Sequence, residues 1–168
     1  MPRSFELYLI RHAIAEERGE AWPDDSKRPL TDEGISRMRK AARGLERLGV
    51  VLDVVLTSPL VRARQTADIV AAVFAPRPPI VSLDSLAPGG TFQSVVADLD
   101  KHARRTRIAL VGHDPGIGEL ASRLTASRQP FAFKKGAVCR IDVEGLPPTG
   151  GGTLRWFVTT RILRAVKR

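Results

Sequence analysis

FELYLIRH, residues 5–12, is a short apolar run that stops at a guanidinium and an imidazole. Phe5 to Ile10 has the near-continuous hydrophobicity of a strand buried on both faces, and its abrupt end at Arg11 predicts a functional loop at the strand's carboxyl end. The pattern returns further on, where Arg107 to Val111 (RIALV) is followed by Gly112 and His113, and again where Asp53 to Thr57 (DVVLT) runs into Ser58 and Pro59.

Helical patterns lie between these runs. Thr31 caps a helix with Asp32 and Glu33 in its first turn, Ile35, Met38, Ala42, Leu45 and Leu48 on one face, and Gly49 as its stop. Ser58 as N-cap with Pro59 at the first helical position opens a second, whose apolar stripe is Ala63, Ala67, Val70 and Phe74. The Pro-rich linker Pro76 to Pro79 leads to a short strand, Ile80 to Leu83, a turn at Leu86 to Thr91 (LAPGGT) and a helix from about Phe92 to His102. Asp114-Pro115 opens a further helix to about Leu124. The acidic, aperiodic stretch Ala15 to Leu30 reads as a surface loop.

The last third alternates polar with apolar. Val138 to Val143 (VCRIDV) and Leu154 to Thr159 (LRWFVT), joined by the Pro/Gly loop 145–152, predict an antiparallel pair near a sheet edge. Together the elements predict an α/β fold: a three-layer sandwich with a mainly parallel sheet, an antiparallel edge and helices on both faces, in one domain over 1–168. In such sheets ligands gather beyond the carboxyl ends of the strands, where His12, Arg62 and His113 all fall.

Composition narrows the classes. No apolar stretch approaches the roughly 20 residues of a membrane span, and the N-terminus lacks a signal-peptide core, so a cytoplasmic location is expected. The formal charge of +9 favours anionic partners. Aromatic content of only 5%, without basic-aromatic interleaving, argues against nucleic acid. The basic runs at Lys101 to Arg105 and Arg161 to Arg168 read as solvated surface. Cys139 has no partner for an intramolecular disulfide and fails as the nucleophile of a Cys-x5-Arg phosphate loop, because the required arginine position is Gly145. A buried strand cysteine is the expectation.

Two imidazoles and two guanidiniums at one crevice suit phosphoryl transfer. The forked donors of Arg11 and Arg62 match the equatorial oxygens of the transferring group. An imidazole attacks phosphorus only when one ring nitrogen is unprotonated. His12, flanked by Arg11, is therefore expected as the neutral nucleophile, and His113 as the charged donor.

The segments Leu9-Ile10-Arg11-His12-Ala13, Arg28-Pro29-Leu30-Thr31 with Gly34, Ser58-Pro59-Leu60-Val61-Arg62-Ala63-Arg64-Gln65-Thr66-Ala67 and Val111-Gly112-His113 resemble, in this order, the histidine phosphatase superfamily, and the short chain resembles its SixA-type phosphohistidine phosphatases. The resemblance spans roughly residues 5 to 125. It implies a phosphoglycerate mutase-like fold, phosphorylation of His12, phosphoryl binding by Arg11, Arg62 and His113, and no metal or other cofactor. Ala13 stands where the superfamily usually has glycine, and a backbone needing positive φ there would be strained.

Several roles stay open. Asp114 is either the leaving-group acid or an ordinary N-cap before Pro115, and Ser58 caps its helix, touches phosphate, or does both. Glu16 and Glu17 are weaker acid candidates, Lys134 and Lys135 either border the pocket or sit in a solvated loop, and Arg64 and His102 read as surface. A zinc site from His12, His113 and Asp114 is disfavoured by the adjacent arginines. Three functions compete: a phosphatase for phosphohistidine on a protein, such as a histidine phosphotransfer domain; a phosphatase of small phosphorylated metabolites; and a phospho-ligand binding module without turnover. A mutase would need a more enclosed site. Oligomeric state is not readable.

Overall fold

The computed structural model describes residues 3–148 and 151–168. Six strands form one sheet in the order β3-β2-β4-β1-β5-β6, with β1 at Ser4–Arg11, β2 at Val54–Thr57, β3 at Ile80–Ser82, β4 at Arg107–Gly112, β5 at Val138–Glu144 and β6 at Thr153–Val158. The pairs β1/β4, β4/β2 and β2/β3 are parallel, whereas β5 runs antiparallel to β1 and β6 to β5. The expected antiparallel edge is therefore present. Of the loop expected at 145–152, residues 149 and 150 lie outside the described residues.

Strand alternation sorts the core into two layers. Leu7 and Leu9, with Leu56, Ile108 and Leu110, face α3 (Phe92–Asp100) and α4 (Gly116–Leu124), burying Val95, Leu99, Leu120 and Leu124. Tyr8 and Ile10, with Val55, Ala109 and Val111, face α1 (Asp32–Arg47), α2 (Val61–Ala71) and α5 (Thr160–Ala165), burying Met38, Leu45, Ala67, Val70 and Leu163. This is the predicted three-layer α/β sandwich.

Some local expectations are corrected. Helix α2 begins at Val61 with Leu60 as its cap residue, so Ser58 and Pro59 lie ahead of the helix. Helix α4 begins at Gly116 after Pro115, whose position takes no side-chain cap, so Asp114 is not an N-cap. Leu48 lies past α1 and is exposed, leaving Met38, Ala41, Ala42 and Leu45 as the buried face. The basic tail contains α5, which the sequence pattern hides: Leu163 is its one buried residue, and its backbone lies so close to α1 that a Cβ on Gly44 would meet the Leu163 carbonyl oxygen at 2.0 Å. Cys139 is buried in β5 as expected, and burial pushes its thiol up to about 12.

Register sets the level of the site. Arg11 pairs with Gly112, and Thr57 with Val111, so β1, β2 and β4 end together. The next residues of these strands are His12, Ser58 and His113.

Candidate active site

Backbone hydrogen bonds carry the sheet one step past its ends. His12 N–H donates to Gly112 O at 3.0 Å and Ser58 N–H to Val111 O at 2.9 Å, which holds both residues rigidly. The turn before β5 closes from the other side, because Gly136 N–H is shared between the carbonyls of Arg11 and His12, 3.0 Å from each. Gly136 has φ +75°, a conformation that L side chains rarely adopt, so glycine is required there.

The two imidazoles, each 6% exposed, lie with ring centroids 5.2 Å apart. His12 Nδ1 is 2.7 Å from Ala13 O. A carbonyl only accepts, so Nδ1 carries the hydrogen, and a neutral ring then has its lone pair on Nε2. Burial pushes His12 down to about 4 against that hydrogen bond, and Arg62, Arg11 and Arg28 push it the same way. Burial thus outweighs the neighbouring Arg11 that the sequence pointed to.

His113 departs from its expected charge. Burial first, then His12 and Arg62, push it down to about 3, so among the protein's own groups it too is neutral. Its Nε2 lies 2.7 Å from Ser58 Oγ, and that oxygen accepts from Leu60 N–H at 3.2 Å, which leaves the hydroxyl hydrogen for Nε2 and the ring hydrogen for Nδ1. Ser58 is therefore a buried partner of His113 rather than a helix cap.

The segment Arg62 to Ala67 of α2 has a clear use. Thr66 Oγ1 accepts from Ala13 N–H at 3.0 Å and donates to Arg62 O at 2.8 Å, tying the residue after His12 to α2. Gln65 Oε1 accepts from Leu30 N–H at 2.7 Å. Ala13 is buried without positive φ, since Ala126 is the non-glycine residue in that region among the described residues. The strain anticipated at Ala13 does not exist.

Arg62 is 2% exposed and donates through Nη1 to Asp25 O at 2.9 Å and through Nη2 to Asp25 Oδ2 at 3.1 Å. Arg28, also buried, donates through Nε to Asp25 Oδ1 at 2.9 Å and through Nη1 to Glu16 O at 2.7 Å. Partial burial opposes ionisation of Asp25, yet the hydrogen bond from Arg28 and the charges of Arg62, Arg28 and Arg18 hold its carboxyl below the usual range. The loop read as plain surface is thus pinned into the site. Asp25 and Arg28 were not visible as site residues, although Arg28 opens the quoted segment Arg28 to Thr31.

Arg11 donates to Phe133 O at 2.7 Å and faces Asp114 Oδ2 at 3.8 Å. Asp114 thus sits beside a cation. Glu16, Glu17, Lys134 and Lys135 are exposed, and Arg64 points outward to Asp68 on its own helix.

Five buried side-chain nitrogens find no hydrogen-bond partner among the described residues, and three of them, Arg11 Nε, Arg62 Nε and His113 Nδ1, belong to this one constellation. Buried polar atoms are nearly always paired, so such a concentration suits an anion. Beside His113 and Asp114 opens a cleft of about 440 Å³ between the 85–92 segment and α4, walled by Leu86, Pro88, Phe92, Ile117 and Leu120. Among the described residues no three His, Cys, Asp or Glu side chains gather as metal ligands, and no helix is long and apolar enough to cross a membrane.

Known proteins resemble this chain in sequence and in fold. Residues 7–87 match the model of the histidine phosphatase superfamily (branch 1). An uncharacterised protein of Picosynechococcus sp. is 41% identical over 122 residues, covering 71% of this chain and 72% of its own length. The phosphohistidine phosphatase SixA of Escherichia coli is 28% identical over 167 residues, 96% of this chain and 98% of that protein. The structure of the protein histidine phosphatase SixA complexed with tungstate superposes with a TM-score of 0.84 at 27% identity, covering 95% of this chain and 99% of that one.

Proposed function

The chain belongs to the histidine phosphatase superfamily, in its SixA-type branch, and is a phosphatase; from that premise we propose that it removes the phosphoryl group from phosphohistidine on a protein, through a phosphohistidine intermediate on His12. The observation that carries this reading is the His12 ring, kept neutral by burial, with Nδ1–H spent on Ala13 O and Nε2 left to attack.

In the first step His12 Nε2 bonds to phosphorus as the substrate's P–N bond breaks, and the departing imidazole nitrogen keeps the electron pair and takes a proton from solvent water. Arg11, Arg62 and His113 bind the equatorial oxygens, where unpaired donors in a site sheltered from water act most strongly. Water then attacks the phosphorylated His12, releasing inorganic phosphate and restoring the ring. The fixed guanidiniums supply the positive charge that a metal ion would otherwise bring, so the mechanism is metal-independent.

The leaving group decides the substrate. An ordinary alkoxide needs a proton donor, whereas imidazole leaves from a phosphoramidate more readily. Asp114 faces the Arg11 guanidinium at 3.8 Å, and the phosphohistidine reading asks no proton of it. The partner expected from this chemistry is a phosphorylated protein of the histidine phosphotransfer kind. One feature favours the second reading, a phosphatase of small phosphorylated metabolites: the cleft beside His113 has the size of a small-molecule pocket.

The test is to incubate the protein and its His12→Ala variant, with chelator present, with a phosphohistidine protein and a panel of phosphate esters. Turnover of phosphohistidine, lost in the variant, with an acid-labile phosphoenzyme on His12, is the expected result. Preference for esters would install the second reading, binding without turnover would sink catalysis, and loss on chelation would sink the metal-free mechanism. Asp114→Asn should leave phosphohistidine turnover within a few-fold.

A further inference from the structure

A guanidinium has two forks that an oxyanion can grip: the end-on pair Nη1/Nη2 and the side-on pair Nε/Nη2. In Arg62 the end-on fork is taken by a single residue, through the Asp25 backbone oxygen and its carboxylate. The side-on fork remains, and its Nε is buried without a partner. Asp25 is itself held from behind. Arg28 grips its other carboxylate oxygen at 2.9 Å, Arg18 approaches the same oxygen at 3.5 Å, and Arg28 is anchored to Glu16 O.

Building on the phosphatase reading above, we propose that Asp25 is a positioning residue for phosphoryl transfer: by occupying the end-on fork it fixes the rotation of Arg62 and presents the side-on fork to the phosphoryl oxygens. Asp25 never touches the reacting group. Its effect passes through Arg62, and the buttress of Arg28 keeps the carboxylate from swinging into the site as a competing anion.

The alternative for a carboxylate against a phosphate-binding arginine is competition, in which Asp25 fills the fork until substrate displaces it. Geometry favours positioning. The backbone oxygen of Asp25 shares the same fork, and Arg28 restrains the carboxylate on the side away from Arg62, so displacement would break three hydrogen bonds involving Asp25.

A double-mutant cycle tests this, with kcat and KM measured on a phosphohistidine protein and inorganic phosphate affinity measured by calorimetry. Asp25→Ala should lower kcat/KM by roughly 10- to 100-fold, mostly in kcat, the scale expected of misplaced catalytic groups. Asp25→Asn, which keeps an oxygen acceptor for Nη2, should recover most of that loss. In an Arg62→Ala background, Asp25→Ala should cost less than about threefold, because the two act as a unit. Thermal melts establish that each variant is folded.

Losses that multiply in both backgrounds would overturn the proposal in favour of general support of the loop. Tighter phosphate binding in Asp25→Ala would overturn it in favour of competition, and unchanged kinetics would overturn it outright. Unimpaired turnover in Arg62→Ala alone would instead remove the role of Arg62 on which the proposal rests.

Discussion

Adding inorganic phosphate to this protein should drive a proton onto buried His113. His12 and His113 are held neutral, at about 4 and about 3, chiefly because burial penalises the charged ring. At roughly 4 Å and an effective dielectric of about 20, each negative charge of a bound anion stabilises an imidazolium by about 4 kcal/mol. That equals about three decades in the protonation equilibrium. One charge lifts His113 from about 3 to roughly 6, and a dianion lifts it further. The charge expected of His113 from the sequence thus arrives with the phosphoryl group.

The assay is an NMR titration of the imidazole resonances with and without saturating phosphate, assigned through His102→Gln and His12→Gln, since the chain has three histidines. Calorimetry in buffers of different ionisation enthalpy should show uptake of about half a proton per phosphate by the protein near pH 6, after the ionisation of phosphate itself is subtracted. Without phosphate, both rings should stay neutral well below the ordinary value of about 6.5. A His113 that titrates near 6.5 in phosphate-free protein, or phosphate binding without proton uptake, would refute the reasoning.

The same pair makes folding sensitive to acid. Their folded values lie below the unfolded value of about 6.5, so the unfolded chain binds more protons between these limits; urea midpoints should be flat above about 6.5 and fall as pH drops toward about 4 and 3. Thr66→Val removes the acceptor of Ala13 N–H and the donor to Arg62 O, and equilibrium unfolding should register a loss of about 1–3 kcal/mol together with reduced kcat. Gly34→Ala would place a Cβ 2.1 Å from Ile14 O, whereas Gly19→Ala meets nothing within 4 Å. The first should cost more than about 2 kcal/mol and the second less than about 0.5, and equal costs would discredit the packing of α1 against the 13–15 segment.

Legibility followed the periodicity of the chain. The runs ending at Arg11, Thr57 and Gly112 announced buried strands because they are nearly continuous in apolar residues, Glu6 being the charged interruption of the first, and three strand ends at one level put His12, Ser58 and His113 together. Helix starts were less legible. Ser58-Pro59 and Asp114-Pro115 both have the composition of a cap followed by proline, yet each polar side chain turns to a different partner, His113 Nε2 in one case and Arg11 in the other. Site partners supplied by backbone, such as Phe133 O for Arg11, leave no mark on residue type. Asp25 was hidden for a related reason: in an acidic, aperiodic loop one carboxylate looks like another until the fold brings Arg62 to it.

The continuation of the sheet ladder through His12 N–H to Gly112 O has a practical reach. A slip of β1 by one residue against β4 would put Arg11 at the level of His12 and turn Leu7 and Leu9 to the opposite layer. Catalysis and correct strand pairing are therefore a single readout in this chain. Turnover can serve as the folding probe in a library selected for stability, where misregistered variants would score as inactive before any structural measurement was made.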